Sequence, residues 1–152
     1  MKQENPMEIV IVGGGYAGLS AIVSLYQNPR PTQITLIDPS EDHVKLTHLH
    51  ESFRKPLGCF RLPFTLFESR FGIQHLKGRT ALTPEDLAKY QKSKTIEVNG
   101  KTLPFDALLL AFGSGLRTVG LDNSIKTLTL DDFALTPGPT LLSESLSNHQ
   151  KG

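Results

Sequence analysis

The chain of 152 residues carries 16 lysines and arginines against 15 aspartates and glutamates, a net charge of +1, and 38% of its residues are hydrophobic. This composition is typical of a globular domain. It has neither the basic stripe of a nucleic-acid-binding protein nor an apolar run long enough to span a bilayer. The single cysteine, Cys59, excludes an internal disulfide, and the polar start lacks an apolar signal segment, so we expect a cytoplasmic protein.

The first predicted element is an apolar, β-branched run, Ile9–Val12, which breaks at three consecutive glycines before a helix-forming segment begins. Gly13, Gly15 and Gly18 stand in the G-x-G-x-x-G register of a dinucleotide-binding turn. In that motif the first glycine permits a sharp turn, the second lets a pyrophosphate approach the backbone, and the third lets the helix pack closely. We expect the free N–H groups at the helix N-terminus to attract the diphosphate.

A second apolar strand over residues 33–37 ends in Asp38, after prolines at 29 and 31 have stopped the helix. The segment is therefore one βαβ unit, and Asp38 lies near the roughly 20-residue spacing expected of a ribose-binding acid. A carboxylate there would accept hydrogen bonds from a ribose 2′-OH and repel a 2′-phosphate, which favours FAD or NAD over NADP. The alternative is that Asp38 only begins the turn Asp38-Pro39-Ser40.

The middle of the chain gives mixed signals. Residues 44–53 have near-helical apolar spacing, yet residues 46–50 also alternate as a strand would, and both alternatives stay open. A short helix is predicted over Pro63–Phe71 and a short strand over Ile73–Leu76. A further helix begins at Thr83-Pro84, where threonine would be the cap and proline the first helical residue.

Asn99-Gly100 lies between two short strands, 95–98 and 101–103, and predicts a hairpin with a type I′ turn. The apolar run Phe105–Ala111 that follows predicts a strand buried on both faces of a parallel sheet. The fold class is therefore α/β, a Rossmann-like FAD/NAD(P)-binding fold of three layers with a central parallel sheet and a small antiparallel hairpin or meander. The turn Gly113-Ser114-Gly115 lacks the G-x-S-x-G spacing of a nucleophile elbow.

The histidines and the cysteine do not form a recognisable metal-binding or catalytic motif. His43, His48 and His50 match no strong ligand spacing, so no metal site is predicted. Cys59 is expected to be a small buried hydrophobic residue, since a redox pair would need a second cysteine. No residue is assigned a catalytic role.

In the order of its motifs, the chain resembles the N-terminal FAD-binding part of flavoproteins with two dinucleotide-binding domains. These form the FAD-dependent pyridine nucleotide-disulphide oxidoreductase superfamily, and the chain is most similar to type II NADH dehydrogenases. Four segments carry the resemblance: Val10–Leu19, Ile34–Asp38 running into Pro39–His43, Leu76–Thr80, and Leu103–Ser114. The last departs from the family's Ala-Thr-Gly, because Phe112 replaces the threonine.

The resemblance implies a set of cofactor-binding residues in this chain. The pyrophosphate turn supplies Gly13, Gly15, Tyr16, Ala17 and Gly18. The ribose acid and the flavin-side loop after it supply Asp38, Pro39 and His43, the adenine segment supplies Thr80, and the second flavin motif supplies Ala111 and Gly113. The implied cofactor is FAD, with NAD(P)H as the co-substrate of a longer protein and the flavin performing the redox chemistry.

The resemblance also implies an organisation. We expect residues 1–118 to be an incomplete FAD-binding domain and residues 119–152 to be a linker, the start of a missing second domain or a tail. An NADH-binding domain or partner chain would then be needed, and the chain alone would have little or no turnover. The longer protein would pass hydride from NAD(P)H to FAD and then electrons to a quinone or another acceptor. It would be cytoplasmic or peripheral to a membrane, and an exposed seam would favour a homo-oligomer.

Two other functions stay open. The chain could be the NAD-binding Rossmann domain of a dehydrogenase, although the hairpin before the last strand disfavours a simple series of βαβ units. It could also be a non-catalytic nucleotide-binding or interaction module that keeps the glycine turn without redox chemistry.

Overall fold

A computed structural model describes residues 5–113 and 129–149. Within them the strands are β1 (Met7–Val12), β2 (Thr32–Asp38), β3 (Asp42–Val44), β4 (Arg61–Pro63), β5 (Gln74–Lys77), β6 (Thr95–Val98), β7 (Lys101–Pro104) and β8 (Ala107–Leu110). The α-helices are α1 (Tyr16–Tyr26), α2 (Phe64–Phe71), α3 (Pro84–Ser93), α4 (Leu130–Leu135) and α5 (Gly138–His149). Two 3₁₀ helices cover Leu46–Phe53 and Leu57–Phe60.

Four parallel strands form the central sheet, in the order β5-β2-β1-β8. In this register Ile9 of β1 lies between Ile34 of β2 and Ala107 of β8, and Val12 pairs with Ile37. Strands β1 and β2 are buried because both have neighbours and both sheet faces are covered, which explains their unbroken apolar sequence. The predicted α/β class with a central parallel sheet is confirmed.

Helices α1 and α2 cover one face of this sheet. The cluster on this face consists of residues from β1, β2, the two helices and the position just before β5: Ile9, Ile11, Leu19, Ile22, Ile34, Leu36, Phe64 and Ile73. Leu19 and Ile22 come from α1, and this helix ends at Tyr26, shortly before the prolines that were predicted to stop it. Burial of these side chains holds the helix N-terminus at the carboxyl end of β1.

Helix α3 and the hairpin β6–β7 cover the other face. Tyr90, Ile96, Val98 and Phe105 pack there against Val10, Val12 and Ile37. As predicted, the hairpin turns at Asn99 and Gly100, which have φ angles of 49° and 73°. The predicted Thr83 cap is also confirmed, because its side chain accepts the Asp86 N–H within a capping box. The three layers are therefore the helices α1 and α2, the central sheet, and the hairpin β6–β7 together with α3.

The chain divides into two compact units, residues 1–43 with 63–114, and residues 44–62 with 115–152. The first holds the sheet and its two covering layers. Within the described part of the second, the Leu46–Phe53 helix packs against α4 and α5, where the Gly138 N–H donates to Ser52 Oγ and Arg61 donates to Ala134 O. The expected division into residues 1–118 and 119–152 stays a prediction.

Two expectations are corrected. Strand β8 is not buried on both faces: among the described residues it ends the strand order of the sheet, and Leu109 and Leu110 are each 39% exposed. Cys59 is exposed, although its neighbour Phe60 on the same short 3₁₀ helix is buried. For residues 44–53 the sequence left a helix and a strand open, and Leu46–Phe53 forms a helix of the 3₁₀ type. Ser114, Gly115 and the proposed boundary at residue 118 lie outside the described residues.

Candidate functional site

The glycine turn lies at the carboxyl end of β1, where the parallel strand passes into α1. Gly13 has a φ of 108°, a conformation that side chains rarely permit, and its N–H donates a 2.8 Å hydrogen bond to Ile37 O. A Cβ at Gly13 would overlap the carbonyl oxygen of Ala111. Gly13 is therefore required both by its backbone conformation and by the close approach of the chain after β8.

The other two glycines of the motif face different surroundings. A Cβ at Gly18 would overlap the Gly13 carbonyl oxygen, so its absence lets α1 pack onto the turn. At Gly15, by contrast, an added Cβ would meet no atom within 4 Å. Gly15 caps α1 without a side-chain hydrogen bond, and the first turn of the helix contains no acidic residue. The helix N-terminus therefore presents its N–H groups and positive dipole end without a competing carboxylate from its own first turn.

Asp38, at the end of β2, lies against this turn. Its Oδ2 accepts the Gly14 N–H at 2.7 Å, and its Oδ1 accepts the Ser40 N–H at 2.8 Å. Asp38 therefore does begin the turn that the sequence offered as an alternative, and it also contacts the glycine turn, which the sequence did not predict. Because each carboxylate oxygen has two lone pairs, each oxygen retains a site at which a hydroxyl group could donate.

Gly14 occupies a variable position of the motif, between Gly13 and Gly15, but it is equally constrained. A Cβ there would overlap the ring of Phe64 and lie 3.2 Å from Asp38 Oδ2. Phe64, which begins α2 and is 1% exposed, therefore forms one wall against the turn. The sequence does carry a signal for this constraint: the G-x-G-x-x-G motif leaves position 14 variable, yet this chain has a glycine there.

His43 contacts the same glycine from another direction. Its ring is 5% exposed, and its Nδ1 lies 3.0 Å from the Gly14 carbonyl oxygen. Since a carbonyl oxygen only accepts, Nδ1 must carry the proton and donate it. The half-exposed Tyr16 ring packs edge-on against the His43 ring, with their centroids 4.7 Å apart. The structure thus brings two predicted cofactor-binding residues together at the glycine turn.

The predicted adenine segment lies at the end of β5, next to Asp38. The Gly78 N–H donates to Asp38 O at 3.0 Å, and Asn99 Nδ2 donates to Lys77 O at 2.8 Å. The Thr80 hydroxyl donates to Glu97 O at 2.8 Å and lies 3.1 Å from the Tyr90 hydroxyl. These contacts hold the Thr80 side chain against β6 and α3.

The last predicted contacts follow β8. The Ala111 N–H donates to Val12 O at 2.7 Å, which fixes Ala111 beside Gly13. Gly113 has a φ of 73°, and Phe112 is 58% exposed. Pro39 is exposed in the turn after Asp38, and Ala17 is exposed in the first turn of α1. The cofactor-binding roles of all these residues remain predictions.

Two lysine–glutamate pairs shift carboxyl pKa values. Lys77 donates a 2.7 Å hydrogen bond to Glu41 and holds the pKa of that carboxyl below its ordinary value. In the second unit, hydrogen bonds from Lys55 and His48 lower the pKa of Glu51 from 4.5 to about 2. Both pairs are accessible to solvent, so each is expected to contribute only weakly to stability.

The described residues contain no group of three or more His, Cys, Asp or Glu side chains positioned to hold a metal ion. The His48 and His50 rings stack at 6.5 Å in the second unit. Within residues 5–113 and 129–149, none of the helices has the length and apolar character needed to cross a bilayer.

Comparison with known proteins adds a family and a fold. The sequence profile of the family described as "Pyridine nucleotide-disulphide oxidoreductase" matches residues 7–136. No curated protein sequence matches the chain. Among solved structures, the sulfide:quinone oxidoreductase of Aquifex aeolicus is 20% identical, with a TM-score of 0.69 over 93% of this chain and 33% of that one.

Two further structures are similar. The NDH2 of Plasmodium falciparum, solved in complex with NADH, is 19% identical, with a TM-score of 0.65 over 86% of this chain and 28% of that one. The NADH:rubredoxin oxidoreductase of Clostridium acetobutylicum is 18% identical, with a TM-score of 0.58 over 86% and 34%. The chain thus spans about a third or less of the length of these proteins, and at such identities the likeness shows the fold.

Proposed function

Because this chain belongs to the pyridine nucleotide-disulphide oxidoreductase family, we propose that it is the FAD-binding portion of an NAD(P)H-dependent flavoprotein oxidoreductase. The observation that carries the proposal is the meeting of three features at one sheet edge. These are a helix N-terminus without a side-chain cap, an open space over Gly15, and the Asp38 carboxylate hydrogen-bonded to the same turn. A dinucleotide needs such partners for its diphosphate and its ribose.

The residues present fit this cofactor. Open space over Gly15 would admit the diphosphate, whose charge the α1 dipole would stabilise. Asp38 keeps lone pairs for ribose hydroxyls, and the backbone after β5 lies beside it for the adenine. When bound, FAD supplies the hydride-accepting chemistry, while these residues bind and orient it. No side chain of this chain is assigned to proton transfer.

The finer function is part of the proposal. We expect the longer protein to take hydride from NAD(P)H and pass electrons to a quinone or another acceptor, with the nicotinamide site supplied by a further domain or a partner chain. Support comes from the similar structures, which include a sulfide:quinone oxidoreductase and an NADH:rubredoxin oxidoreductase.

Titration calorimetry with FAD tests the binding function directly. The purified chain should bind FAD, and Gly15→Val should lose that binding because the side chain enters the space above the turn. Gly58→Val is the matched control: an added Cβ at Gly58 also meets no atom within 4 Å, but Gly58 lies on the Leu57–Phe60 helix. Equal FAD affinity in wild type and Gly15→Val would contradict the proposal.

The two alternatives are tested in parallel. Tight NAD binding with no FAD binding would favour a dehydrogenase domain. A chain that binds FAD, but whose longer form reduces no dye acceptor with NADH, would favour a non-catalytic nucleotide-binding module.

A further inference from the structure

The three consecutive glycines of the turn raise a conformational problem. Glycine has no Cβ and adopts positive and negative φ almost equally well, so local sterics do not fix how the peptide planes between Gly13, Gly14 and Gly15 are oriented. A flipped plane would exchange the direction of a C=O and an N–H. An anion is bound by peptide N–H groups and not by C=O groups, so binding requires each plane to have one particular orientation. Contacts from outside the turn must therefore set these orientations.

The Gly13–Gly14 plane is set by Asp38. The Gly14 N–H points to the Asp38 carboxylate, and the carbonyl of the same peptide, that of Gly13, faces α1 at Gly18. The two groups point in opposite directions, as the trans peptide requires.

The Gly14–Gly15 plane is set by His43. Nδ1–H of this buried ring donates to the Gly14 carbonyl at 3.0 Å. The N–H of the same trans peptide, that of Gly15, must therefore point away from His43. No atom of the described residues accepts a hydrogen bond from it, Gly15 is exposed, and the space over its Cα is open.

We propose that His43 is a positioning residue that holds the Gly14–Gly15 peptide with its N–H directed to the anion-binding side of the turn. The diphosphate of FAD would receive that N–H, so this part of the inference rests on the proposed function. Asp38 and His43 then act as a pair: one holds the N–H of Gly14 and the other its C=O. Together they fix both planes of a turn that glycine alone leaves free.

A pair of variants separates the hydrogen bond of His43 from its packing. His43→Phe keeps a ring against Tyr16 and removes the donor. His43→Asn removes the ring but places an amide N–H donor at the same number of bonds from Cα as Nδ1. Thermal unfolding of each variant shows that the comparison is made on folded protein.

The first measurement uses the ligand-free protein. Gly15 has a φ of −74°, and a flip of the Gly14–Gly15 plane would move φ by about 180°, within the range that glycine permits. The two three-bond HN–Hα couplings of Gly15, measured by NMR, report that angle. We expect His43→Asn to keep the wild-type couplings and His43→Phe to show averaged or changed ones. Unchanged couplings in folded His43→Phe would overturn the inference.

The second measurement uses FAD. Its affinity should fall at least tenfold in His43→Phe and less than threefold in His43→Asn. A larger loss of FAD affinity in His43→Asn than in His43→Phe would show that packing of the ring, and not its hydrogen bond, is what FAD binding needs, and would also overturn the inference. If wild type bound no FAD, the proposed function would fail, while the Gly15 couplings would still decide whether His43 holds the peptide.

Discussion

The Gly14 N–H and the Asp38 carboxylate are joined by a hydrogen bond of 2.7 Å, so the acid that ends β2 lies directly against the turn that ends β1. The parallel register makes this inevitable: Val12 pairs with Ile37, and the residues that follow each strand emerge at the same sheet edge. Twenty-four positions separate the two residues in the chain. The contact therefore exists only once the sheet has formed, and it links the stability of the sheet to the shape of the turn.

Asp38→Asn should weaken both the fold and FAD binding. An amide has one acceptor oxygen, so one of the two N–H groups held by Asp38 loses its partner, which costs about 1.5–3 kcal/mol for a bond to a charged group. We expect a lower urea midpoint and at least tenfold weaker FAD binding.

Asp106→Asn is the matched control for that variant. Asp106 Oδ2 also accepts a backbone N–H, that of Glu8, at 2.9 Å, but at the amino end of β1, away from the turn. It should cost some stability and leave FAD affinity within twofold of wild type. Equal losses of FAD affinity in both variants would mean that Asp38 acts only through the sheet.

Gly15→Val and Gly18→Val should both lose FAD, but for different reasons. A side chain at Gly18 meets the backbone oxygen of Gly13, which cannot move aside, so we expect a loss of about 3 kcal/mol or more, the upper end of overpacking costs. At Gly15 there is space, and the unfolding free energy should change by about 1 kcal/mol or less. Urea unfolding beside FAD titration measures both. A strongly destabilised Gly15→Val would contradict the open geometry of the turn.

Gly78 and Asn99 should show coupled stability effects. A Cβ at Gly78 would lie 2.7 Å from Asn99 Nδ2 and 2.8 Å from Val98 Cγ1. Gly78→Ala should therefore cost about 1–3 kcal/mol. Asn99→Gly keeps the left-handed turn but loses the hydrogen bond to Lys77 O. It also removes the Asn99 side chain, one of the two side chains that a Cβ at Gly78 would meet. In a double-mutant cycle the combined loss should be smaller than the sum by about 0.5 kcal/mol or more. Strict additivity would show that the hairpin tip does not hold the segment after β5.

Glu51 should make stability depend on acid pH. Its pKa is lowered from 4.5 to about 2 by Lys55 and His48, so its contribution is present above about pH 4.5 and is lost as the pH falls toward 2. Glu51→Gln should unfold at a lower temperature than wild type near neutral pH, and this difference should disappear by about pH 2. High salt should also reduce it. A difference that stays constant down to pH 2 would show that the ion pair is not its cause.

Much of the fold could be predicted because the backbone preferences of a few neighbouring residues determine its turns and helix ends. The glycine turn, the Asn99-Gly100 hairpin and the Thr83 cap each depend on a few adjacent residues whose backbone preferences leave little choice. The strand, glycine turn, helix and second strand together predicted a βαβ unit, and β1 and β2 are indeed parallel neighbours.

The remainder depended on tertiary context. The apolar run of β8 was expected to be covered, but its place at the end of the sheet order leaves Leu109 and Leu110 partly exposed. The partners of Gly14 could not be found from the sequence, since Asp38 and His43 reach it only after β2 and β3 have been placed. The apolar spacing of Leu46–Phe53 fits a helix and a strand equally well, so the sequence alone did not decide that this segment is a 3₁₀ helix.

Strand β1 is flanked by β2 on one side and β8 on the other, and its contact with the residues before β8 joins Glu8 to Asp106, 98 positions apart. At the usual 5–20 residues per second, a ribosome takes about 5–20 s to make the chain between them. During that interval one edge of the nascent β1 is without its native neighbour. Codon changes that slow translation between Glu8 and Asp106 should therefore lower the yield of this protein, and chaperones that bind exposed apolar strands should raise it.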